Sequence, residues 1–342
     1  MKICCLVAAI ALLGFVAATG QASDRLTTIS GKTYIGQVTQ VTPVKLVVER
    51  NDVSEEIPSI QVQRVDFEGE PLALRTVRGH LAKAEIQDAA AVLERIEFKT
   101  APRKVVQQDY DFYRAYCAAK LALSGEGEIK EAGPKMLAWV NANPTSYHYY
   151  EACQILGDLL LALHRYDQAS VYYGKLADSP FPEMKMRAGV ATGRALLIEK
   201  KAAEAQKAFD GVLAVNAAGD QADLQRLCAT LGKARCAVEA GNPDDAIKTV
   251  EDIVAKTESD NAEVMATAYN TLGAAYKKAG KNKEALMAYL HVEVLYASSA
   301  DAHAEALANL IDLWTAMGQP DRANKARRTL KEEYKNSPWA AE

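Results

Sequence analysis

A seven-position frame recurs along most of this chain and restricts its fold more than any other feature. In the unit that begins at Ala266, the residues Tyr269, Leu272, Gly273, Tyr276, Gly280, Ala285 and Tyr289 stand at positions 4, 7, 8, 11, 15, 20 and 24. Two helices joined by a tight turn explain this spacing. Small Gly273 and Ala285 let antiparallel helices approach, Tyr276 and Tyr289 fill the space between them, and Gly280 ends the first helix in a left-handed conformation. Neither helix can hide its apolar stripe alone, so such units must stack.

The frame returns from Tyr150 as Leu156, Gly157, Leu160, Ala169 and Tyr173, and from Met186 as Gly193, Leu196, Ala205 and Phe209. From Leu227 it keeps Gly241 and Ala246, with Ala234 in place of the first glycine. From Ala304 it supplies Leu310, Trp314, Gly318, Ala323 and Leu330. A unit from Tyr113 keeps Leu123, Ala132 and Pro144, and a degenerate one near Glu70 carries Ala89, Leu93 and Ile96. Between Tyr150 and Ala304 the units start 36 to 41 residues apart.

These residue types at these spacings resemble the tetratricopeptide repeat, a helix–turn–helix of about 34 residues. The resemblance implies a mostly α chain: a right-handed superhelix of paired helices over residues 109–342, with degenerate capping helices over 70–108. The linkers exceed the minimal repeat, so its curvature is expected to be irregular. Residues 334–340 are similar to the inter-repeat signature of bacterial envelope tetratricopeptide proteins involved in outer-membrane or cell-division assembly.

Residues 24–69 have a different texture. Short β-branched runs at 26–29, 34–38, 44–48 and 62–67, several alternating apolar with polar, predict four or five strands. Residues 30–32 and 49–52 supply turn chemistry between them. The order resembles small Sm-like or SH3-like barrels, so a small β-sheet or barrel domain precedes the helices.

Ahead of the sheet, Lys2 and an apolar run over residues 3–18 lead to Gly20 and Ala22. This is the pattern of a signal peptide over residues 1–22, with cleavage expected after Ala22 and a periplasmic or secreted product. The run is shorter than the roughly 20 apolar residues of a comfortable span, so no stable membrane segment is expected after cleavage, an uncleaved anchor being the alternative. Lys2 is the only charge in residues 1–22, so its removal takes the formal net charge from −4 to −5. With no basic excess, nucleic acid is excluded as a partner class.

Export gives two readings to Cys117, Cys153, Cys228 and Cys236: disulfides, or small buried hydrophobes. His80, His148, His164, His291 and His303 fall in different units with no helical ligand spacing to another His or Cys, so neither a metal nor a cofactor is expected. No nucleophile elbow, zinc-protease helix or phosphate loop is present, and the chain reads as a non-enzyme. Adjacent acids such as Asp244 and Asp245 suit a helix N-terminus.

The resemblance places the binding surface on the concave face, at positions 2, 5, 9 and 12 of each first helix. Those positions hold Arg187 and Arg194, then Arg235, then Asn270 and Lys277, then Asp312 and Thr315. The arginines suit the carboxylates of an acidic or C-terminal peptide, and Asn270 suits a ligand backbone; a merely solvated inner face is the alternative. The Lys/Asn/Arg set with which the family's chaperone-binding members clamp a peptide carboxylate is not reproduced. The aromatics Tyr110, Phe112, Tyr113, Tyr116, Tyr147, Tyr149 and Tyr150 form either an interface patch or inter-repeat core. The expected function is an exported adaptor holding a partner protein or peptide. A self-associating envelope assembly factor, hence a homo-oligomer, is the alternative. A cell-wall glycan-binding protein or enzyme using Tyr34 and Phe67, the two aromatics of the β-domain, is the third reading.

Overall fold

The computed structural model describes residues 23–341, so the expected signal segment and its cleavage site lie outside the described residues. The described residues begin with five strands, β1 (Asp24–Thr28), β2 (Thr33–Val41), β3 (Lys45–Arg50), β4 (Val53–Pro58) and β5 (Val62–Asp66). All neighbours are antiparallel, in the order β4-β3-β2-β1-β5. Asn51 and Asp52, at φ 51° and 59°, turn β3 into β4 as a two-residue hairpin whose backbone twist matches the strands. Irregular register in β1 and β2 bends the sheet around Leu26, Val38, Leu46, Ile57, Val65 and Phe67. β4 carries the polar run Ser54, Glu55 and Glu56 on an exposed edge, which is why its sequence reads weakly as a strand.

Seven helix pairs follow. The first is short, α1 (Leu72–Leu81) with α2 (Ile86–Leu93). The others are α3 (Lys104–Leu123) with α4 (Ile129–Ala142), α5 (Tyr149–Ala162) with α6 (Tyr166–Ala177), and α7 (Pro182–Ile198) with α8 (Ala202–Leu213). Then come α9 (Asp220–Glu239) with α10 (Pro243–Lys256), α11 (Ala262–Lys278) with α12 (Asn282–Leu295), and α13 (Ala300–Ala316) with α14 (Pro320–Glu333). Each pair packs on its neighbours in chain order, as stacked units must.

The repeat frame is visible as packing. A Cβ added to Gly273 would meet the Tyr289 ring at 2.6 to 2.7 Å, and Gly157 and Gly193 stand likewise against Tyr173 and Phe209. All three rings are fully buried. Where Ala234 replaces the glycine, the smaller Val250 stands in the aromatic position, buried in its turn. The pair conserves volume, so the helix spacing is kept.

The turns repeat too. Gly241, Gly280 and Gly318 adopt φ of 89°, 74° and 67°, and the following residue reaches back to the helix, as Lys281 N does to Tyr276 O at 2.8 Å. His164 and Lys200 take the same left-handed position at φ 56° and 63° without being glycines. Stacking therefore overrides the local preference, at modest strain.

The aromatic run splits in favour of core. Phe112 and Tyr113 are buried, and Tyr110, Tyr116, Tyr147 and Tyr149 pack partly against the same cluster. Phe67 is only 1% exposed in the sheet core, so it cannot stack on a sugar, and the glycan reading loses one of its two aromatics. Among the described residues Cys117, Cys153, Cys228 and Cys236 are free thiols, all but Cys228 buried. Burial pushes Cys117 up to about 12 and Cys153, Cys228 and Cys236 up to about 11, so these four stay protonated near neutral pH. Among the described residues no helix is long and apolar enough to cross a membrane.

Candidate functional site

Of the sequence-derived side chains, Arg194, Arg235, Asn270 and Lys277 on the first helices α7, α9 and α11 converge on α13, whereas Arg187 and Thr315 do not. Their partners are the chain's own. Arg194 on α7 lies 3.5 Å from Asp301 on α13, and Arg235 on α9 lies 2.7 Å from Glu305 on α13. Asn270 on α11 donates to the Ala302 carbonyl at 2.8 Å and to Glu305 at 3.3 Å. Lys277 pairs with Asp312 at 2.9 Å and donates to Asn309 at 3.2 Å. Arg187 donates to Gln154 on α5. Thr315 turns back on its own helix, donating to Ile311 O at 2.7 Å.

Three units thus send side chains to a single helix, α13. The groove curves so tightly that residues 107 positions apart, Arg194 and Asp301, meet across it. Arg194–Asp301 is exposed and contributes at most about 1 kcal/mol. Arg235 and Glu305 are about one-fifth exposed, so their pairing is the stronger tie. Two polar atoms of this region have no partner: Asn270 Oδ1 and the Tyr289 hydroxyl, on residues that are 2% and 0% exposed. Burial outweighs the pull of Arg235 and, with Glu305 and Asp312 nearby adding to it, pushes the Tyr289 phenol upward and keeps it neutral.

Residues 334–337 close on the α3–α4 turn. Lys335 Nζ lies 2.6 Å from Glu128, and Asn336 Nδ2 donates to the Ala122 and Gly127 carbonyls at 2.9 and 2.8 Å. Gly125, at φ 89°, sits against the Glu333 carbonyl with no room for a side chain. The segment that resembles an inter-repeat signature therefore joins the last unit to the α3–α4 turn. Tyr334 is buried, and its hydroxyl is hydrogen-bonded to His303 Nδ1 on α13 at 2.7 Å.

Burial holds the His303 pKa below the ordinary histidine value, against the pull of Glu333. A depressed histidine pKa stabilises the fold fully above the unfolded value of about 6.5, and that stability is lost as pH falls toward the folded pKa. The wild-type melting temperature is therefore expected to drop more between neutral and mildly acidic buffer than that of His303→Gln. Parallel melting curves for the two proteins would remove His303 as the cause.

A second cluster, absent from the sequence-derived set, joins sheet to helices. Buried Arg78 on α1 grips Glu70 through two bonds of 2.8 Å, and reaches Asp109 at 3.1 Å and Asp66 at 3.3 Å. Tyr147 donates to both oxygens of Asp109 at 3.0 and 3.1 Å, and His148 stacks on Phe112 with ring centroids 3.9 Å apart. Burial opposes a charge on His148, but Asp109 and Glu151 prevail and hold its pKa above the ordinary value. Asp24 accepts from the Val38 and Glu68 amides, both at 2.7 Å, and pairs with Arg103 at 2.6 Å. One sequence signal could have found this cluster: Asp109 interrupts the apolar stripe Val106–Phe112–Tyr113 of α3, and a carboxylate there needs a buried cation. Largely buried, and hydrogen-bonded internally except at His148 Nε2, the cluster is mechanical in character.

Among the described residues His80, Glu85 and Asp88 are a group whose ligand atoms come within 4.8 Å of one another. His80 Nδ1 is already satisfied by Glu85 at 2.7 Å, and Asp88 is exposed.

No protein-family model and no curated protein matches the sequence. Solved structures do match. A tetratricopeptide repeat protein from Parabacteroides merdae superposes with TM-score 0.51 at 14% identity, over 77% of this chain and 92% of that one. A Rap protein complexed with Competence and Sporulation Factor gives 0.53 at 14% identity, over 78% and 76%. NprR in complex with its cognate peptide NprX gives 0.51 at 15% identity, over 79% and 81%. The helical part is a tetratricopeptide-type solenoid. A small antiparallel β-sheet precedes it. Identities this low speak to the fold alone.

Proposed function

We propose that the chain is an exported, non-enzymatic scaffold whose solenoid holds a partner protein or peptide in its concave groove. The observation that carries this reading is the row Arg194, Arg235, Asn270 and Lys277, set on successive first helices and directed at carboxylates and a backbone carbonyl of one helix. The same row would grip the carboxylates and backbone of a second chain. Two solved folds of this shape, the Rap protein and NprR, hold a factor and a cognate peptide respectively. Export rests on the charge and apolar pattern of residues 1–22. The sheet order, with β5 returning beside β1, suits the Sm-like or SH3-like barrel expected from sequence.

Crosslinking in the native envelope, followed by identification of what is attached, tests the reading. Loss of charge-assisted contacts worth ~1.5–3 kcal/mol each predicts at least about tenfold less captured partner for the Arg194→Glu, Arg235→Glu protein. Undiminished capture by a variant of unchanged helicity would sink it. A second reading, self-association, is favoured by the outer face of α12, where Met287, Val294 and Leu295 are 55%, 72% and 61% exposed. A strict monomer in light scattering at all concentrations would remove it.

A further inference from the structure

We infer that residues 334–337 are a latch that keeps the groove shut, with Glu305 seated on the groove's polar groups in place of an acidic peptide from a partner. The inference rests on the groove being the binding surface, and it names the ligand class and the gate.

Three observations meet here. The chain ends of the solenoid hold each other directly. Lys335 with Glu128, and Asn336 with Ala122 and Gly127, connect positions 207 to 214 residues apart. Solenoid units contact only their sequence neighbours unless something draws the ends together. These bonds do so, and they are few: the Lys335–Glu128 pair is exposed and the two Asn336 bonds are part-buried, a small set of contacts for a local opening to break.

The latch and the groove filler also share one helix. Tyr334 is fastened to His303 on α13, and two residues on, Glu305 accepts from both Arg235 and Asn270. Moving residues 334–337 away removes one of the ties that hold α13 in place, and any shift of α13 takes Glu305 and Asp301 with it. A peptide carboxylate cannot reach Arg235 until that happens.

Finally, Glu305 fits the site incompletely. It brings a carboxylate but no amide, so Asn270 Oδ1 lacks a donor and the Tyr289 hydroxyl lacks any partner. Buried polar atoms are rarely left so. A peptide segment carrying Asp or Glu would supply the carboxylate together with the adjacent backbone N–H and C=O that these two atoms lack. The chemistry recognised is therefore an acidic peptide.

Two full-chain variants separate the parts. Lys335→Glu with Asn336→Ala breaks the latch and leaves Glu305 in place, whereas Glu305→Gln leaves the latch and removes the filler's charge. In the latch variant, hydrogen exchange is expected to rise by about tenfold in both residues 122–128 and 334–337, as for any local opening. A fluorescein-labelled peptide of alternating Glu and Gly is expected to bind both variants about tenfold more tightly than wild type, because the competing state is removed. Unchanged exchange, or a change in only one of the two segments, overturns the latch. Normal probe affinity in both variants overturns the filler role of Glu305. If partner capture still depends on Arg194 and Arg235 in that case, the groove stands and only the gate falls. If no variant binds the probe and capture ignores the arginines, both readings fall.

Discussion

Alanine at position 78 is expected to lower the stability of the N-terminal half by about 3–5 kcal/mol, the usual cost of removing one partner from a buried ion cluster. Arg78 is 6% exposed and touches Asp66, Glu70 and Asp109, which are 4%, 9% and 1% exposed. Its Nε also donates to the Tyr113 hydroxyl at 3.2 Å. Without the guanidinium, Arg64 still serves Asp66 at 2.6 Å, and Arg75 stands a distant 3.5 Å from Glu70. Asp109 keeps Tyr147 and His148 as partners but no arginine. The damage should be local. Hydrogen exchange would speed up in the sheet, α1, α2 and the first half of α3 while α9 to α14 stay protected. Arg78→Lys retains charge but loses the forked grip, so its cost is expected to fall between the wild type and alanine. A Arg78→Ala protein melting within about 0.5 kcal/mol of wild type would show that the cluster carries no net stabilisation.

Tyr289→Ala is expected to cost about 3–5 kcal/mol, the range for truncating a large buried aromatic. The ring is wholly buried against Gly273 within a core that includes Met265, Leu286 and Leu310. Because a solenoid is held by nearest-neighbour interfaces, the loss should separate the last two units from the rest rather than unfold the sheet. It would also carry α13 away from Arg194 and Arg235, so groove closure and the C-terminal protection should fail together. Denaturant titration is expected to show an early transition confined to the C-terminal helices. A single transition with an unchanged midpoint would contradict this account of the glycine–aromatic contacts.

The glycine–aromatic frame was legible because it is local: one ring and one small residue 16 positions earlier set the spacing of a helix pair, as at Gly273 and Tyr289, Gly193 and Phe209, and Gly157 and Tyr173. The strands were legible from alternation, except β4, whose exposed polar edge carries no burial signal. The groove residues were legible by position in the unit and not by partner. Position 9 puts Arg194 on the inner face, but nothing in that position says that Asp301 will face it. Arg78 was missed because its apolar neighbours on α1 read as an ordinary capping helix, and its three carboxylates lie on separate elements.

Periodicity of apolar and small residues by itself determined that this chain pairs its helices and stacks the pairs, since each stripe must be covered by the next. It also determined that a separate sheet comes first. Tertiary structure alone decided how far the stack bends, which carboxylates meet which cations, and that the last residues close on the α3–α4 turn. The reason is additive geometry. Each interface contributes a small rotation that no single unit encodes, and only the accumulated sum brings Arg194 to Asp301 and Asn336 to Gly127.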